Sequence, residues 1–152
     1  MEVVISLKRT DSNSKDFINL VRELDVYLSQ INGEEDDFFK QFNSIESLKN
    51  VLVCYVDEKA VGCGAFKEIT EKTVEIKRMY VNPNYRGNNI ATLILNELES
   101  WAKEKRFTEV VLETSKTMLP AVNLYQKNKY SVMPNYGPYK NIVSSICFKK
   151  YL

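Results

Sequence analysis

The feature that most restricts what this chain can become is the order in which its hydrophobic periods change. Three β-prone runs, Val51–Val56, Val61–Ile69 and Thr73–Val81, follow one another across short polar breaks, the first of them "DEKA". The third run passes through a Pro- and Asn-rich bend into a segment with helical spacing, in which Ile90, Leu93, Ile94, Leu98 and Trp101 share a face. A period of two giving way to a period of 3.6 marks the passage from a strand to an amphipathic helix. That helix is expected to end near Lys105 or Arg106. A strand over Glu109–Thr114 follows, then a helix over Met118–Asn128 with Val122 and Tyr125 inward. Late strands Tyr130–Met133 and Val143–Phe148 flank a loop rich in Pro, Gly, Asn and Tyr. Upstream, Val3–Leu7 reads as a strand. Ser12 or Ser14 would cap a helix carrying Phe17, Ile18, Val21, Leu24 and Leu28, and Gly33 would end it. Asp36–Phe42 would form a second short helix with Phe38, Phe39 and Phe42. The order is βααβββαβαββ. A meander followed by a strand–helix–strand unit predicts an α/β (α+β) fold, a mixed sheet with helices on both faces. With 152 residues and no repeat, low-complexity tract or linker, positions 1–152 read as a single domain.

Composition narrows the function classes. Twenty-one basic and 20 acidic residues leave a net charge of +1, which gives no global field for nucleic acid or anionic membrane. No basic stripe with interleaved aromatics is visible either. No apolar run approaches the ~20 residues of a membrane span. "MEVVISLKR" carries charges within and after its short apolar run and reads as a strand, not a signal peptide. The expected location is the cytoplasm. The chain has no histidine, which excludes Ser-His-Asp and Cys-His machinery and the common His-based metal sites. No metal is expected, and acid–base chemistry falls to Glu, Asp, Tyr, Lys, Cys or water. Cys54, Cys63 and Cys147 are odd in number and unclustered, so they read as buried thiols and not as a disulfide or zinc framework.

The bend itself, within "YVNPNYRGNNIATLIL", supports two readings. The first amides of a helix lack intrahelical partners and carry the positive end of the dipole, so a helix entered directly from a strand suits phosphate. Gly87 removes a Cβ from the approach, and Arg86 supplies a fork of donors. Asn89 tolerates left-handed backbone better than most side chains and would keep the bend that a glycine gives. The plainer reading is a strand–helix turn capped by Asn88 or Asn89. The segment is neither a Walker loop nor GxGxxG.

"IKRMYVNPNYRGNNIATLILNELESWA" resembles the pyrophosphate-binding segment of the GNAT-type N-acetyltransferase superfamily, whose pattern is Gln/Arg-x-x-Gly-x-Gly/Ala at the entrance of a helix. Arg86, Ile90 and Ala91 match, Gly87 lies inside the loop, and Asn89 stands where the second glycine is usual. Downstream, "AVNLYQKNKYSV" resembles the family's Ala-x-x-x-Tyr-x-x-x-x-Phe/Tyr segment, and the order of elements agrees with that fold, in which the central sheet is mostly antiparallel. The resemblance is to small bacterial members.

The resemblance implies direct transfer of an acetyl group from acetyl-CoA, as co-substrate, to the primary amine of a small molecule. A protein or peptide acceptor, or a non-catalytic acyl-CoA-binding sensor, are the alternatives. Arg86, Gly87, Asn88, Asn89, Ile90, Ala91 and Thr92 would hold the diphosphate, mainly through backbone N–H groups. Met79, Tyr80 and Val81 would run beside the cofactor, with main-chain groups of Met79 and Val81 offered to the pantetheine arm or the acetyl carbonyl. Asn123 would contact the cofactor arm. Tyr125 matches the family's general acid, because a phenol still holds its proton at neutral pH. Glu75 is the candidate base and Glu113 its rival. In "VEIKRMYV", alternation would place Glu75, Lys77, Met79 and Val81 on one face. Asp25, Tyr27, Glu113, Tyr136 and Tyr139 are substrate-side candidates. Each has a bland alternative: a core tyrosine, a surface Asn, or a structural carboxylate such as Glu75 paired with Lys77. A homodimer stays open.

Overall fold

A computed structural model describes residues 3–40 and 44–152. The chain divides into two compact units, Met1–Lys67 with Lys77–Leu98, and Glu68–Ile76 with Glu99–Leu152.

The first unit contains strand β1 (Ile5–Thr10), helices α1 (Lys15–Asn32) and α2 (Asp36–Lys40), and strands β2 (Asn50–Val56) and β3 (Lys59–Glu68). It also holds the second half of β4 (Thr73–Val81) and the start of α3 (Ile90–Glu104). β1 pairs antiparallel with β2, Ile5 opposite Val56. β2 pairs antiparallel with β3, Val53 opposite Cys63. Asp57 and Glu58, with φ of 48° and 71°, form the tight turn of this hairpin, the backbone that matches strand twist. Of the two candidate caps, Ser14 starts α1: its hydroxyl accepts the Phe17 N–H at 3.2 Å. Ser12 is tied to the Leu48 carbonyl at 3.1 Å instead. Gly33 ends α1 at φ 53°, its N–H returning to Ser29. Phe42, expected on α2, lies outside the described residues.

Within this unit, α1 and the start of α3 take opposite faces of the strands. α1 buries Phe17, Leu20, Val21 and Leu24 in a core with Val51, Val53, Cys63, Ala65 and Tyr80. The alternate residues Gly62 and Gly64 face α3. A Cβ on Gly64 would stand 2.6 Å from Met79 Sδ and 2.9 Å from Leu98 Cδ1, so α3 can approach this closely only over glycine. Ile90, Ile94 and Leu98 form the buried stripe of α3, and Leu95 is buried too. Leu93, expected inward, falls beyond the stripe and is 37% exposed.

The second unit contains the first half of β4, the end of α3, β5 (Glu109–Ser115), α4 (Leu119–Lys127), β6 (Ser131–Met133) and β7 (Ser145–Tyr151). β4 pairs parallel with β5 from Thr73–Glu109 to Glu75–Val111. β7 lies antiparallel to both β5 and β6. β7 starts two residues later than the expected Val143, because the Asn135 side-chain amide donates to the carbonyls of Ile142 and Ser145, both at 3.1 Å, and closes the loop before it. The hydrogen-bonded order is β1-β2-β3-β4 within the first unit and β4-β5-β7-β6 within the second. The α+β fold with a mixed sheet and the element order βααβββαβαββ are as expected. Among the described residues, no helix is long and apolar enough to cross a membrane.

Candidate active site

In the first unit, β4 ends at Val81 and the chain turns at once. The Asn82 side chain accepts the Asn84 N–H at 2.9 Å, opening a single turn of tight helix over Pro83–Tyr85. Gly87 and Asn89 then adopt φ of 83° and 62°. The left-handed backbone expected of Asn89 is present. Asn88 does not cap α3: its amide donates to the carbonyls of Tyr85 (3.1 Å) and Arg86 (3.4 Å) and locks the turn. The first backbone bond of α3 runs from Leu93 N–H to the Asn89 carbonyl at 3.0 Å. The amides of Ile90, Ala91 and Thr92 precede it and have no intrahelical acceptor. Nothing stands within 4 Å of the place where a Gly87 Cβ would be, so the loop is open on that side.

Arg86 is partly committed within the protein. Its Nε donates to the Val81 carbonyl at 3.0 Å, and its guanidinium lies 5.3 Å from the centre of the Tyr27 ring. This pins the loop to the end of β4, leaves the two Nη groups for an anion, and uses the Val81 carbonyl that the sequence offered to the cofactor arm. Tyr27 is thus the platform under Arg86.

Arg78 interrupts β4 with a left-handed φ of 59°. The alternation that would place Glu75 and Lys77 on one face with Met79 and Val81 does not run through it, since a residue at positive φ breaks the two-residue period. The Arg78 side chain is 2% exposed and ion-pairs through Nη2 with Asp25 of α1, whose side chain is 50% exposed. Nearby, Glu23 accepts hydrogen bonds from the Tyr80 hydroxyl (3.2 Å) and the Asn82 amide (3.0 Å). Burial, followed by the Glu23 charge, pushes the Tyr80 phenol up to about 12. Cys63 points its thiol at the Arg78 carbonyl at 3.4 Å, and burial pushes that thiol up to about 12. The expected buried thiols are present at all three cysteines.

In the second unit, Glu75 is 6% exposed and accepts a short hydrogen bond from the Tyr136 hydroxyl. Tyr136 meets Tyr139 edge-on at 5.8 Å. Glu113 accepts from the Ser145 hydroxyl at 2.6 Å. Because Glu75 stands opposite Val111 in the parallel ladder, Glu113 lies diagonally across from Glu75 on the same face. Tyr125 is buried, edge-on to Tyr130 at 5.7 Å and tilted against Phe148 at 5.9 Å. Burial, and then the charge of Glu113, drives its pKa well above the ordinary phenol value. Tyr136 and Tyr139 are raised by burial and then by Glu75. All three therefore keep their protons at neutral pH. Asn123 is exposed on α4.

Sequence reasoning missed Tyr130, Glu99 and Lys150. The Tyr130 hydroxyl donates to Glu99 at 2.7 Å, and Lys150 holds the other Glu99 oxygen at 2.8 Å. This fixes the ring against which Tyr125 packs. The only signal was the place of Tyr130 five residues after Tyr125, at the aromatic position of the matched segment. The first unit thus offers a helix entrance with open amides and a cation, and the second offers two carboxylates among protonated phenols.

Comparisons with known proteins agree with these features. The model of the acetyltransferase (GNAT) family matches residues 16–130. An IAA acetyltransferase of Azospirillum brasilense is 30% identical over 124 residues, covering 80% of this chain and 81% of that protein. A crystal structure from Klebsiella pneumoniae, assigned as an acyl-CoA N-acyltransferase, superposes with a TM-score of 0.82 at 25% identity over 98% of each chain. A GNAT family acetyltransferase from Elizabethkingia anophelis with acetyl-CoA bound shares the fold alone, with a TM-score of 0.72 at 16% identity, covering 97% of this chain and 98% of that one. The family model spans most of the chain, and both the relative and the fold agree with it: the chain belongs to the GNAT family of acetyltransferases.

Proposed function

We propose that this acetyltransferase moves an acetyl group from acetyl-CoA directly to the primary amine of a small molecule, as one domain, in the cytoplasm. The observation that carries the cofactor assignment is the α3 entrance. Gly87 and Asn89, both left-handed, bring the chain into a helix whose first amides are open, and Arg86 is held beside them. Diphosphate needs that combination of backbone donors and a guanidinium fork. A small-molecule acceptor is supported by the IAA acetyltransferase relative, and a net charge of +1 gives no global field for a polyanionic partner.

In the reaction, the neutral amine attacks the thioester carbonyl, the C–S bond breaks as the tetrahedral intermediate collapses, the departing thiolate takes a proton from the acid, and the nitrogen sheds its second proton, which restores that acid. Tyr125 is the donor we assign: burial, and then the charge of Glu113, hold its phenol protonated at neutral pH. The acceptor ammonium must first lose a proton, and Glu75, directly or through water, is the base. The two carboxylates divide the work. Glu113 is the charge that Tyr125 feels, so it helps to keep the acid protonated. Glu75 acts on Tyr136 and Tyr139, which border the acceptor.

The test is thiol release from acetyl-CoA across a panel of amines, with wild type and Tyr125→Phe. The Phe variant should lose about 10²–10⁴-fold in kcat, the range for general acid catalysis. Its acetyl-CoA affinity should change by less than about 1 kcal/mol, one neutral hydrogen bond at most. Saturable acetyl-CoA binding with no amine-dependent thiol would make the protein a sensor, acceptance of peptides alone would make it a protein acetyltransferase, and full activity in a folded Phe variant would remove Tyr125 as the acid.

A further inference from the structure

Arg78 is costly to place and returns little to the fold. It is a bulky residue at positive φ within a strand, a position that needs support from its surroundings. Its guanidinium is almost wholly buried. Its Nε is the one buried side-chain nitrogen or oxygen among the described residues that has no hydrogen-bond partner. Buried groups of this kind are rare enough to need a reason. The other carboxylate nearby, Glu23, is engaged by Tyr80 and Asn82.

The pairing with Asp25 is half of what an arginine can make. Nε and Nη2 lie on one edge of the guanidinium and present parallel N–H bonds that match the two oxygens of a carboxylate. Asp25 reaches Nη2 through Oδ1 alone and leaves Nε unmet. Asp25 is also the exposed member of the pair, half in solvent where Arg78 is enclosed. A second carboxylate arriving from solvent could replace it side-on and satisfy both donors. The exchange keeps the buried charge neutral, which matters because an unpaired buried charge is strongly unfavourable, and it returns Asp25 to water.

We propose that Arg78 is a carboxylate receptor, that Asp25 is its exchangeable internal stand-in, and that the acceptor is therefore an amine bearing a carboxylate in the same small molecule. The inference rests on the acetyl-transfer reading above and narrows its substrate class. Arg78 directly precedes Met79, whose main chain the family resemblance offers to the pantetheine arm or the acetyl carbonyl, so an acceptor anchored here would be next along the same strand to the cofactor.

The experiment uses matched amines that differ only in the carboxylate: an amino acid, its methyl ester and the decarboxylated amine. With wild-type protein and saturating acetyl-CoA, kcat/KM should favour the carboxylated member by on the order of tenfold or more, as a bidentate charged contact would give. Arg78→Met should bring the ratio close to one, chiefly through KM, while Asp25→Asn should raise it, because the internal competitor has lost its charge. A ratio near one in the wild type overturns the proposal. A second measurement stands apart from turnover: Asp25→Ala is melted with and without the amino acid, and with its methyl ester. A rise in Tm with the carboxylate alone supports the receptor, and equal melts overturn it. Should acetyl-CoA bind while no amine is acetylated, the transfer reading has failed, and the melts still decide whether Arg78 receives a carboxylate.

Discussion

Asn89 links backbone conformation to cofactor binding, and its environment makes the linkage measurable. It sits at φ 62° immediately before the buried Ile90. Its side chain is exposed, and the turn is locked by Asn88 instead, so substitutions at 89 mainly report on the backbone. An ordinary L-residue in this region costs roughly 1–2 kcal/mol, and asparagine less. Glycine would remove the strain but give back about 0.5–1 kcal/mol through the freedom of the unfolded chain. Asn89→Gly should therefore be neutral to within about 0.5 kcal/mol, Asn89→Ala should lose about 1 kcal/mol, and Asn89→Val should lose about 2 kcal/mol, because a β-branched residue is the least tolerant of positive φ. The variant chain can relax by rotating the peptide at 89, which re-aims the amides of Ile90, Ala91 and Thr92. Affinity for acetyl-CoA should fall in the Val variant and persist in the Gly variant. CoA without its acetyl group should show the same pattern, since both carry the diphosphate. Urea unfolding gives the stabilities and titration calorimetry the affinities. If Val equals Asn in both, Asn89 is an ordinary surface residue, and the helix entrance does not depend on its conformation.

Two other outcomes are open to measurement. Arg86→Ala should weaken acetyl-CoA and CoA alike by on the order of 1.5–3 kcal/mol, a charge-assisted hydrogen bond, and Arg86→Lys should recover only part, since an ammonium cannot hold the Val81 carbonyl and present a fork at once; unchanged affinity in a folded Ala variant would take Arg86 out of the phosphate site. Tyr125, Tyr136 and Tyr139 all have pKa values raised above the ordinary 10.0 by burial, so the stability they contribute is complete below that value and is lost as pH rises through and beyond it, the unfolded chain ionising first. Tyrosinate absorbance followed up to strongly alkaline pH should show these three ionising only together with unfolding, and their reversible ionisation in a still-folded protein would contradict the burial argument.

What could be read from the sequence was what local rules decide. Ser14 as a cap, Gly33 as a helix stop and Asn89 as a left-handed residue each follow from the chemistry of one or two neighbouring residues. The order of elements follows from periodicity, which is also local. The site is another matter, because its pairs are distant in the chain. Tyr136 meets Glu75 across 61 residues, Arg78 meets Asp25 across 53, and Tyr130 meets Glu99 across 31. No propensity or spacing rule identifies such partners before the strands are in register. The break at Arg78 was the least legible feature, for a specific reason. Left-handed backbone is signalled in sequence by glycine or asparagine, and an arginine within a β-prone run signals the opposite. Only tertiary contacts can hold it there, in this case the enclosed guanidinium and its pair with Asp25. The face assigned to Glu75 by alternation failed at that residue, and Glu75 remains a site candidate through its bond to Tyr136. The same reasoning explains why the ion pair that Asp25, read from sequence as a substrate-side candidate on the first helix, makes with Arg78 could not be foreseen.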